Sequence, residues 1–281
     1  MRWFKLWPKL CWPQLCLLAL LLVLAGCAPR VTRGSEVPAK PGANAPSVPA
    51  APAPSKPTTS SAAGPFNAAF SDRGVIWVMN GQAYLARAPR FQVEKVAAPA
   101  RVADVAWSDG DAWIAVPSAG WAQRVTGAPA NTQVGRVVKL SSTRAYRENG
   151  SAVSYSGGSV AGLTGAPSAV TTGGDGRDYA LQGGKLYRVD PKRVVLQQHA
   201  SGVLVPTPGG AWVAPAPTAY TQDSAYRLTG GKLQRLDVAG VVRAEVPCPP
   251  GLVGVAGNVI VTVSRDGGLR VFQLDLSAVQ S

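Results

Sequence analysis

The stretch YALQGGKLYR at Tyr179–Arg188 returns as YRLTGGKLQR at Tyr226–Arg235, 47 residues further along the chain. In both copies a strand-like run ends in Gly-Gly, and a second such run begins with Lys-Leu. A Gly-Gly pair supplies the positive φ values that a tight two-residue hairpin needs. The repeated stretch therefore predicts a β-hairpin that recurs at a fixed interval.

A second series of glycine turns has a similar spacing. Gly-Gly, Asp-Gly or Gly-Asn pairs separate short runs rich in Val, Ala and Trp, and their intervals are 48, 52 and 48 residues. These turns are Asp109-Gly110, Gly157-Gly158, Gly209-Gly210 and Gly257-Asn258. Two hairpins in each repeat of about 48 residues make four strands, which is the composition of a β-propeller blade.

Residues 65–281 are therefore predicted to form an all-β domain, a β-propeller of about five four-stranded blades. A five-bladed ring requires the hairpin at Val75–Arg87 to complete the last blade. Small residues on the inner strands would then pack toward the centre, and Trp and Tyr would fill the spaces between blades. A β-sandwich or β-barrel is the alternative, because both also contain many short strands separated by turns.

Residues 1–26 have the pattern of a secretory signal. Arg2, Lys5 and Lys9 precede an apolar run at Leu15–Leu24. The run has about ten residues, whereas a membrane-spanning helix needs roughly 20. A basic start followed by a short apolar run is typical of a cleaved signal peptide.

The sequence Leu24-Ala25-Gly26-Cys27 resembles the bacterial lipobox. The resemblance covers only residues 1–27. It implies cleavage between Gly26 and Cys27 and acylation of the Cys27 thiol, so membrane lipid becomes a binding partner through acylated Cys27. Ala28, where Asp would retain many Gram-negative lipoproteins at the inner membrane, favours an outer-membrane position facing the periplasm.

Residues 27–64 are predicted to comprise the lipidated cysteine and a flexible linker. From Ala28 onward the segment is almost all Pro, Ala, Ser, Thr and Gly. Such a composition cannot bury enough apolar surface to offset its ordering entropy. Its prolines favour an extended chain with a reach on the order of 100 Å. We therefore expect a tether that holds the domain off the membrane.

The balance of charge is basic throughout the chain. It has 28 Lys and Arg against 15 Asp and Glu, and removal of the signal would leave 25 cations. An anionic envelope polymer is a candidate partner for such a surface. No basic run interleaves with aromatics, so the sequence does not indicate nucleic-acid binding. After the cut Cys248 is the only other cysteine, which excludes an intramolecular disulfide in the mature domain.

Catalytic and metal-binding patterns are almost absent from the sequence. His199 is the sole histidine, no Gly-x-Ser-x-Gly occurs, and zinc sites need clustered His and Cys. Asp175 and Asp178 are the best candidates for a cation site, and Asp109 and Asp111 come next. Polar turns account for both pairs. The sequence predicts no cofactor, no resident metal and no catalytic residue, and it favours a protein that is not an enzyme.

Four tryptophans are candidates for a binding face: Trp107, Trp113, Trp121 and Trp212. Because most fall in predicted strands, packing between blades is the first interpretation of them. Two functions remain open. One is a non-catalytic module of the bacterial cell envelope that binds or scaffolds another envelope protein. The alternative is a carbohydrate-binding or glycan-hydrolysing protein with tryptophans and carboxylates in a central funnel.

Overall fold

A computed structural model describes residues 64–279. The predicted signal peptide, the Gly26–Cys27 cleavage site and the linker up to residue 63 lie outside the described residues and stay predictions. Residues 64–279 form 25 strands and contain no helix. Consequently, this part of the chain has no apolar helix of sufficient length to cross a membrane. The predicted all-β class is confirmed.

The strands form seven antiparallel sheets, which we number in chain order. Sheet 1 contains β1 (Phe66–Ser71), β2 (Gly74–Met79), β3 (Gln82–Arg87) and β4 (Val93–Lys95). Sheet 2 contains β5 (Asp104–Ser108), β6 (Asp111–Val116), β7 (Trp121–Arg124) and β8 (Ala130–Gln133). Sheet 3 contains β9 (Val137–Leu140), β10 (Arg144–Arg147), β11 (Ala152–Ser154) and β12 (Ser159–Val160). Sheet 4 contains β13 (Ala169–Thr172), β14 (Asp178–Gln182), β15 (Lys185–Arg188) and β16 (Val194–Gln197).

The remaining three sheets differ in size. Sheet 5 has only two strands, β17 (Val203–Thr207) and β18 (Gly210–Ala214). Sheet 6 has four, β19 (Thr218–Tyr220), β20 (Ala225–Thr229), β21 (Lys232–Leu236) and β22 (Val242–Pro247). Sheet 7 has three, β23 (Gly251–Ala256), β24 (Val259–Ser264) and β25 (Leu269–Gln273), and a bridge from Phe272 to Ala278 begins a fourth.

The sheets close into a ring around a central channel. The first strand of each sheet lies beside the first strand of the next, and β23 of the last sheet lies beside β1 of the first. All seven first strands line one channel. Radial four-stranded sheets around a channel define a β-propeller. The predicted propeller is therefore confirmed.

The predicted number of about five blades is wrong, because the ring contains seven sheets. The repeats are also unequal, since β19 starts at Thr218, soon after β17 starts at Val203. The two Gly-Gly-Lys-Leu turns both join the second and third strands of their sheets, in sheets 4 and 6. The interval between them thus spans one full sheet and the short sheet 5. The second turn series mixed different hairpins, since Gly157-Gly158 joins the outer strands β11 and β12.

The hairpin at Val75–Arg87 does not complete the last blade. Its strands are β2 and β3, the middle of sheet 1. The ring closes instead by packing of side chains between sheets 1 and 7. Gly254 on β23 lies so close to Phe70 on β1 that a Cβ atom there would be 2.1 Å from the aromatic ring. Glycine at this position permits the close approach of the first and last sheets.

Side chains between adjacent sheets form the core, as the sequence predicted. The Trp113 ring of sheet 2 packs against Tyr155, which follows β11 in sheet 3, with 4.4 Å between ring centroids and a tilt of 35°. The Trp107 indole donates a hydrogen bond to the carbonyl of Ala69 in sheet 1 at 3.1 Å. Alanines 68, 69 and 106 and Gly254 lie at the channel, where the sheets converge. Trp113 and Tyr155 thus fill the space away from the axis, whereas Phe70, Trp107 and Tyr220 reach the channel wall.

Candidate functional site

Asp178 joins sheets 3 and 4 through a buried hydrogen-bond network. Its carboxylate, which begins β14, is fully buried. Its oxygens accept hydrogen bonds at 2.5 to 3.0 Å from four side chains, Ser141, Thr143, Tyr146 and Thr172. The Arg144 guanidinium forms an ion pair with it at 3.0 Å. Burial and the nearby Asp178 charge hold the pKa of Tyr146 well above its ordinary value. The Tyr146 hydroxyl therefore stays protonated and donates its hydrogen bond to Asp178.

The carboxylates of Asp175 and Asp178 have separate hydrogen-bond partners and do not form one cation site. Asp175 lies in the turn before β14, where it accepts hydrogen bonds from the Tyr179 hydroxyl at 2.7 Å and the Arg177 amide at 3.2 Å. Protein donors already occupy the oxygens of Asp178. Within residues 64–279 no three His, Cys, Asp or Glu side chains form a group that could hold a metal ion. The structure therefore gives each of these aspartates a structural role in its own turn or sheet.

Asp104 is a second fully buried carboxylate, at the start of β5. It accepts hydrogen bonds from the Asn67 amide of sheet 1 at 2.5 Å and from the Leu140 backbone of sheet 3 at 2.9 Å. Burial raises the pKa of the Asp104 carboxyl, while Lys139 at 3.9 Å and these hydrogen bonds oppose the rise. Asp104 thus links three consecutive sheets near the channel.

The lesser candidates also have ordinary surroundings. Asp109 lies in the β5–β6 turn with a φ of 50°, and Asp111 pairs with Arg124 at 3.2 Å. His199 is exposed after β16. Cys248 is buried and its thiol donates to the Thr262 hydroxyl at 3.4 Å. None of these groups lies at the central channel.

The central channel has a volume of about 500 Å³ and an uncharged wall. Its lining is mostly Ala, Val, Leu, Pro and Thr, and the described residues place no Asp, Glu, Lys, Arg or His there. Trp107 is the one tryptophan among the described residues that line it. Glycoside hydrolysis needs a pair of carboxyl groups beside the sugar. The channel formed by residues 64–279 therefore lacks the carboxylates that the alternative, a funnel for carbohydrate, requires.

The four candidate tryptophans do not form one face. Trp107 and Trp113 are buried between sheets, and Trp121 on β7 is half-buried. Trp212 on β18 is different because 51% of its surface is exposed. Its ring meets Tyr220 of β19 edge-on at 6.0 Å. Trp212 is thus the one of the four that is available to a partner.

Trp212 belongs to sheet 5, in which the two outer strands are missing. Only Pro215, Ala216 and Pro217 separate the end of β18 from the start of β19. Such a short connection cannot contain the two further strands that complete sheets 1–4 and 6. β18 is therefore the outer edge of sheet 5, whereas in those sheets a third strand pairs with the outer side of the second.

The backbone groups on this edge follow from the pairing of β17 with β18. Pro206 lies opposite Ala211 and has no N–H, so this pair exchanges no hydrogen bonds. Hydrogen-bonded and non-hydrogen-bonded residue pairs alternate along an antiparallel ladder, so the pair of Val213 with Leu204 also exchanges no hydrogen bonds. Ala211 and Val213 consequently point their N–H and C=O groups away from β17. Among residues 64–279 no other backbone group bonds to them.

A pocket of about 360 Å³ lies beside Trp212, between sheets 5 and 6. We call it the Trp212 pocket, lined by Trp212, Tyr220, Arg227, Leu236 and Val238 among others. The guanidinium of Arg227 donates to the Gln234 side chain at 2.9 Å. Its Nε has no hydrogen-bond partner, and no carboxylate within the described residues forms an ion pair with Arg227. The pocket therefore combines aromatic and aliphatic walls with one cation that lacks a counter-ion.

Exposed apolar side chains concentrate around the short sheet. Ten large hydrophobic residues of the described part of the chain are exposed, and seven belong to sheets 4–6 or their loops. They are Val194, Val195 and Leu196 on β16, Trp212 on β18, and Val238, Val241 and Val242 in and just before β22. Grouped exposed apolar residues are typical of an interaction site.

Sequence reasoning named Trp212 but missed the surface around it. The available signal was Pro215-Ala216-Pro217, which brings a new strand directly after the end of β18 and so interrupts the strand count. Arg227 gave no signal, because its position beside Trp212 results from the meeting of two sheets.

Comparison with known proteins supports the fold. No protein-family model matches the sequence, and no curated protein is significantly similar to it. BBS1N, solved in complex with ARL6DN, aligns with a TM-score of 0.51 and 13% identity over 78% of this chain and 94% of that chain. A chain of the Mitotic Checkpoint Complex aligns with a TM-score of 0.47 and 11% identity, covering 75% and 90% of the two chains. Virginiamycin B lyase from Staphylococcus aureus gives 0.41 and 14%, covering 76% and 81%. At these identities the likeness concerns the fold alone, and of these three alignments it is the one with BBS1N, at a TM-score above 0.5, that supports it.

Proposed function

We propose that the protein is a lipid-anchored interaction module of the bacterial cell envelope, with a propeller that binds another envelope protein. The observation that carries this proposal is the grouping of exposed apolar side chains on sheet 5 and its two neighbours. Burial of apolar surface contributes about 25 cal/mol per Å² to association, before the costs of binding are subtracted. Trp212 is a suitable anchor because tryptophan is enriched among the residues that dominate binding energy.

The anchor and the tether support the same function. A thioether-linked lipid on Cys27 would hold the chain at the membrane, and two acyl chains give stable attachment. The Pro- and Ala-rich residues 28–63 would let the propeller reach a partner at some distance from the bilayer. A protein confined near a surface meets its partners at a raised effective concentration. We place the anchored protein at the outer membrane facing the periplasm in a Gram-negative host.

The experiment is affinity purification of the tagged full chain after crosslinking in living cells. Cys27→Ala is the matched control, since it abolishes lipidation and leaves residues 64–279 unchanged. Enrichment of a discrete envelope protein with the anchored form, and at least fivefold less with Cys27→Ala, supports the proposal. Recovery of glycan or lipid without any protein partner contradicts it.

A further inference from the structure

We propose that β18 accepts an extended strand from a partner protein, and that this strand carries apolar side chains and at least one carboxylate. The inference rests on the proposed function and assigns the surface, the binding mode and the chemistry of the partner. The incoming strand would be the third strand of sheet 5, at the position that β3, β7, β11, β15 and β21 occupy in other sheets.

The free edge of β18 sets the binding mode. Ala211 and Val213 direct their N–H and C=O groups outward, so an added strand would form backbone hydrogen bonds at these two residues. Addition of a strand to a sheet edge takes affinity from the backbone and specificity from alternate side-chain pockets. An exposed edge next to apolar side chains is a template for such pairing.

The two faces of β18 set the side chains of the partner. Ala211 and Val213 pack toward sheet 4, whose outermost strand exposes Val194 on the same face. Val194 pairs with Arg188, which lies next to Leu186 on that face of β15. Apolar side chains of the added strand would continue that surface. On the opposite face Trp212 borders the Trp212 pocket. Side chains of the added strand that alternate onto this face would enter the pocket.

Arg227 determines the charge of the partner. Its guanidinium lies in the Trp212 pocket without a carboxylate partner in the described residues, because Asp237 at the pocket rim pairs with Arg243 at 2.6 Å. An arginine pairs strongly with a carboxylate through charge-assisted hydrogen bonds. Without the predicted signal the chain still carries 25 Lys and Arg against 15 Asp and Glu. A carboxylate on the incoming strand is therefore the complementary group.

The same charges disfavour the two other occupants. A second copy that paired through its own β18 would bring two Arg227 side chains without counter-ions together. Residues 28–63 of the chain contain eight prolines, and their longest stretch without proline, Arg30–Val37, carries two arginines against one glutamate, so its net charge is positive. Proline cannot donate a backbone hydrogen bond to a ladder. An acidic strand from another protein fits the edge better than either.

The test uses a photo-crosslinking amino acid at Val238 in the full chain, in living cells of the host. Val238 lines the Trp212 pocket and is 87% exposed. We expect ultraviolet light to link it to a protein segment that contains alternating apolar residues and a carboxylate, mapped by mass spectrometry. Val213→Pro removes an outward N–H and should lower the crosslink yield at least tenfold. Arg227→Gln removes the cation without a change in the backbone and should lower it at least threefold.

Val93→Pro is the matched control, because Val93 is an exposed valine on the edge strand β4. The amide of Val96 donates to Ala83, so alternation directs the N–H of Val93 outward as well. Val93→Pro should leave the yield within twofold of the wild type. Thermal unfolding of each variant shows whether the fold is intact, and Arg227→Gln keeps the test valid if Val213→Pro unfolds.

Four results would overturn the inference. They are an unchanged yield with Arg227→Gln and a folded Val213→Pro, a linked segment without carboxylates, a link to a second copy, and a link to residues 28–63. In each case purification of the tagged chain still decides the proposed function separately. A protein partner recovered there would preserve the interaction module with a different surface, and no partner would contradict both proposals.

Discussion

Replacement of Asp178 with alanine should destabilise the propeller more than any substitution of an exposed carboxylate. Asp178 is fully buried, and four side chains donate hydrogen bonds to its oxygens. Arg144, which is also buried, lies 3.0 Å from it. Alanine removes every acceptor at once and leaves this cation with Asp190 as its remaining carboxylate partner.

The expected loss follows from the cost of a broken buried ion pair. Removal of one partner from a buried ion pair costs about 3–5 kcal/mol when the remaining charge has no other partner. Arg144 keeps Asp190, so the expected loss lies near the lower end of this range, at about 3 kcal/mol. Folded domains are stable by about 5–15 kcal/mol in total. Asp178→Ala should therefore remove a large share of the stability, and the loss should fall on the contact between sheets 3 and 4.

Urea unfolding followed by tryptophan fluorescence measures this loss as a change in midpoint at constant slope. Asp223→Ala is the control, since Asp223 is exposed in the turn before β20 and should change stability by less than about 0.5 kcal/mol. A loss below about 1 kcal/mol for Asp178→Ala, with the control unchanged, would refute the claim that this network joins the two sheets.

Three further outcomes are expected. Gly254→Ala should destabilise by about 1–3 kcal/mol in urea, because its Cβ would overlap the Phe70 ring at the ring closure; no loss would mean that the seam is loosely packed. Tyr155→Phe should cost about 1 kcal/mol, since the hydroxyl donates to the Ser141 carbonyl at 2.6 Å, and a neutral result would contradict that bond. Burial raises the pKa of Asp104 in the folded state, so the folded protein binds the carboxyl proton more tightly than the unfolded chain does. Protonation of Asp104 therefore stabilises the fold at low pH, and this contribution is lost as the pH rises through the raised pKa. The stability of the wild type relative to Asp104→Asn should therefore increase from pH 7 to pH 4 in urea titrations, and a decrease would contradict the buried-carboxylate assignment.

The sequence was sufficient for the class of fold because turn chemistry is local. Gly183-Gly184 and Gly230-Gly231 have the positive φ values that their hairpins require, and these values follow from the residue type. Four strands in each repeat also proved to be the usual sheet of this ring.

The number of sheets was not accessible by the same reasoning. A period taken from two turns assumes equal repeats, and sheet 5 breaks this assumption with two strands where five of the others have four. Gly157-Gly158 looked like the other turns of its series, yet it joins two outer strands. The position of a hairpin within its sheet depends on which strands it pairs with, and that is a property of the folded chain.

The candidate site shows the same limit. Trp212 was recognisable as a residue type that binds, but its exposure follows from the absence of strands outside β18. Asp178 was recognisable as a carboxylate in a turn-rich stretch, but its role depends on Ser141, Arg144 and Tyr146, which the preceding sheet contributes. Contacts between sheets decide both roles, and no local pattern records them.

Hydrogen exchange at the Val213 amide tests the central claim most directly. Ile114 has the equivalent position on β6 of sheet 2, where β7 continues the sheet beyond it. In the free protein the Val213 amide should exchange at least a hundredfold faster than the Ile114 amide, and it should become protected when the partner is bound. Equal protection of the two amides in the free protein would show that β18 is already covered, and it would contradict the claim that this edge is open to a partner.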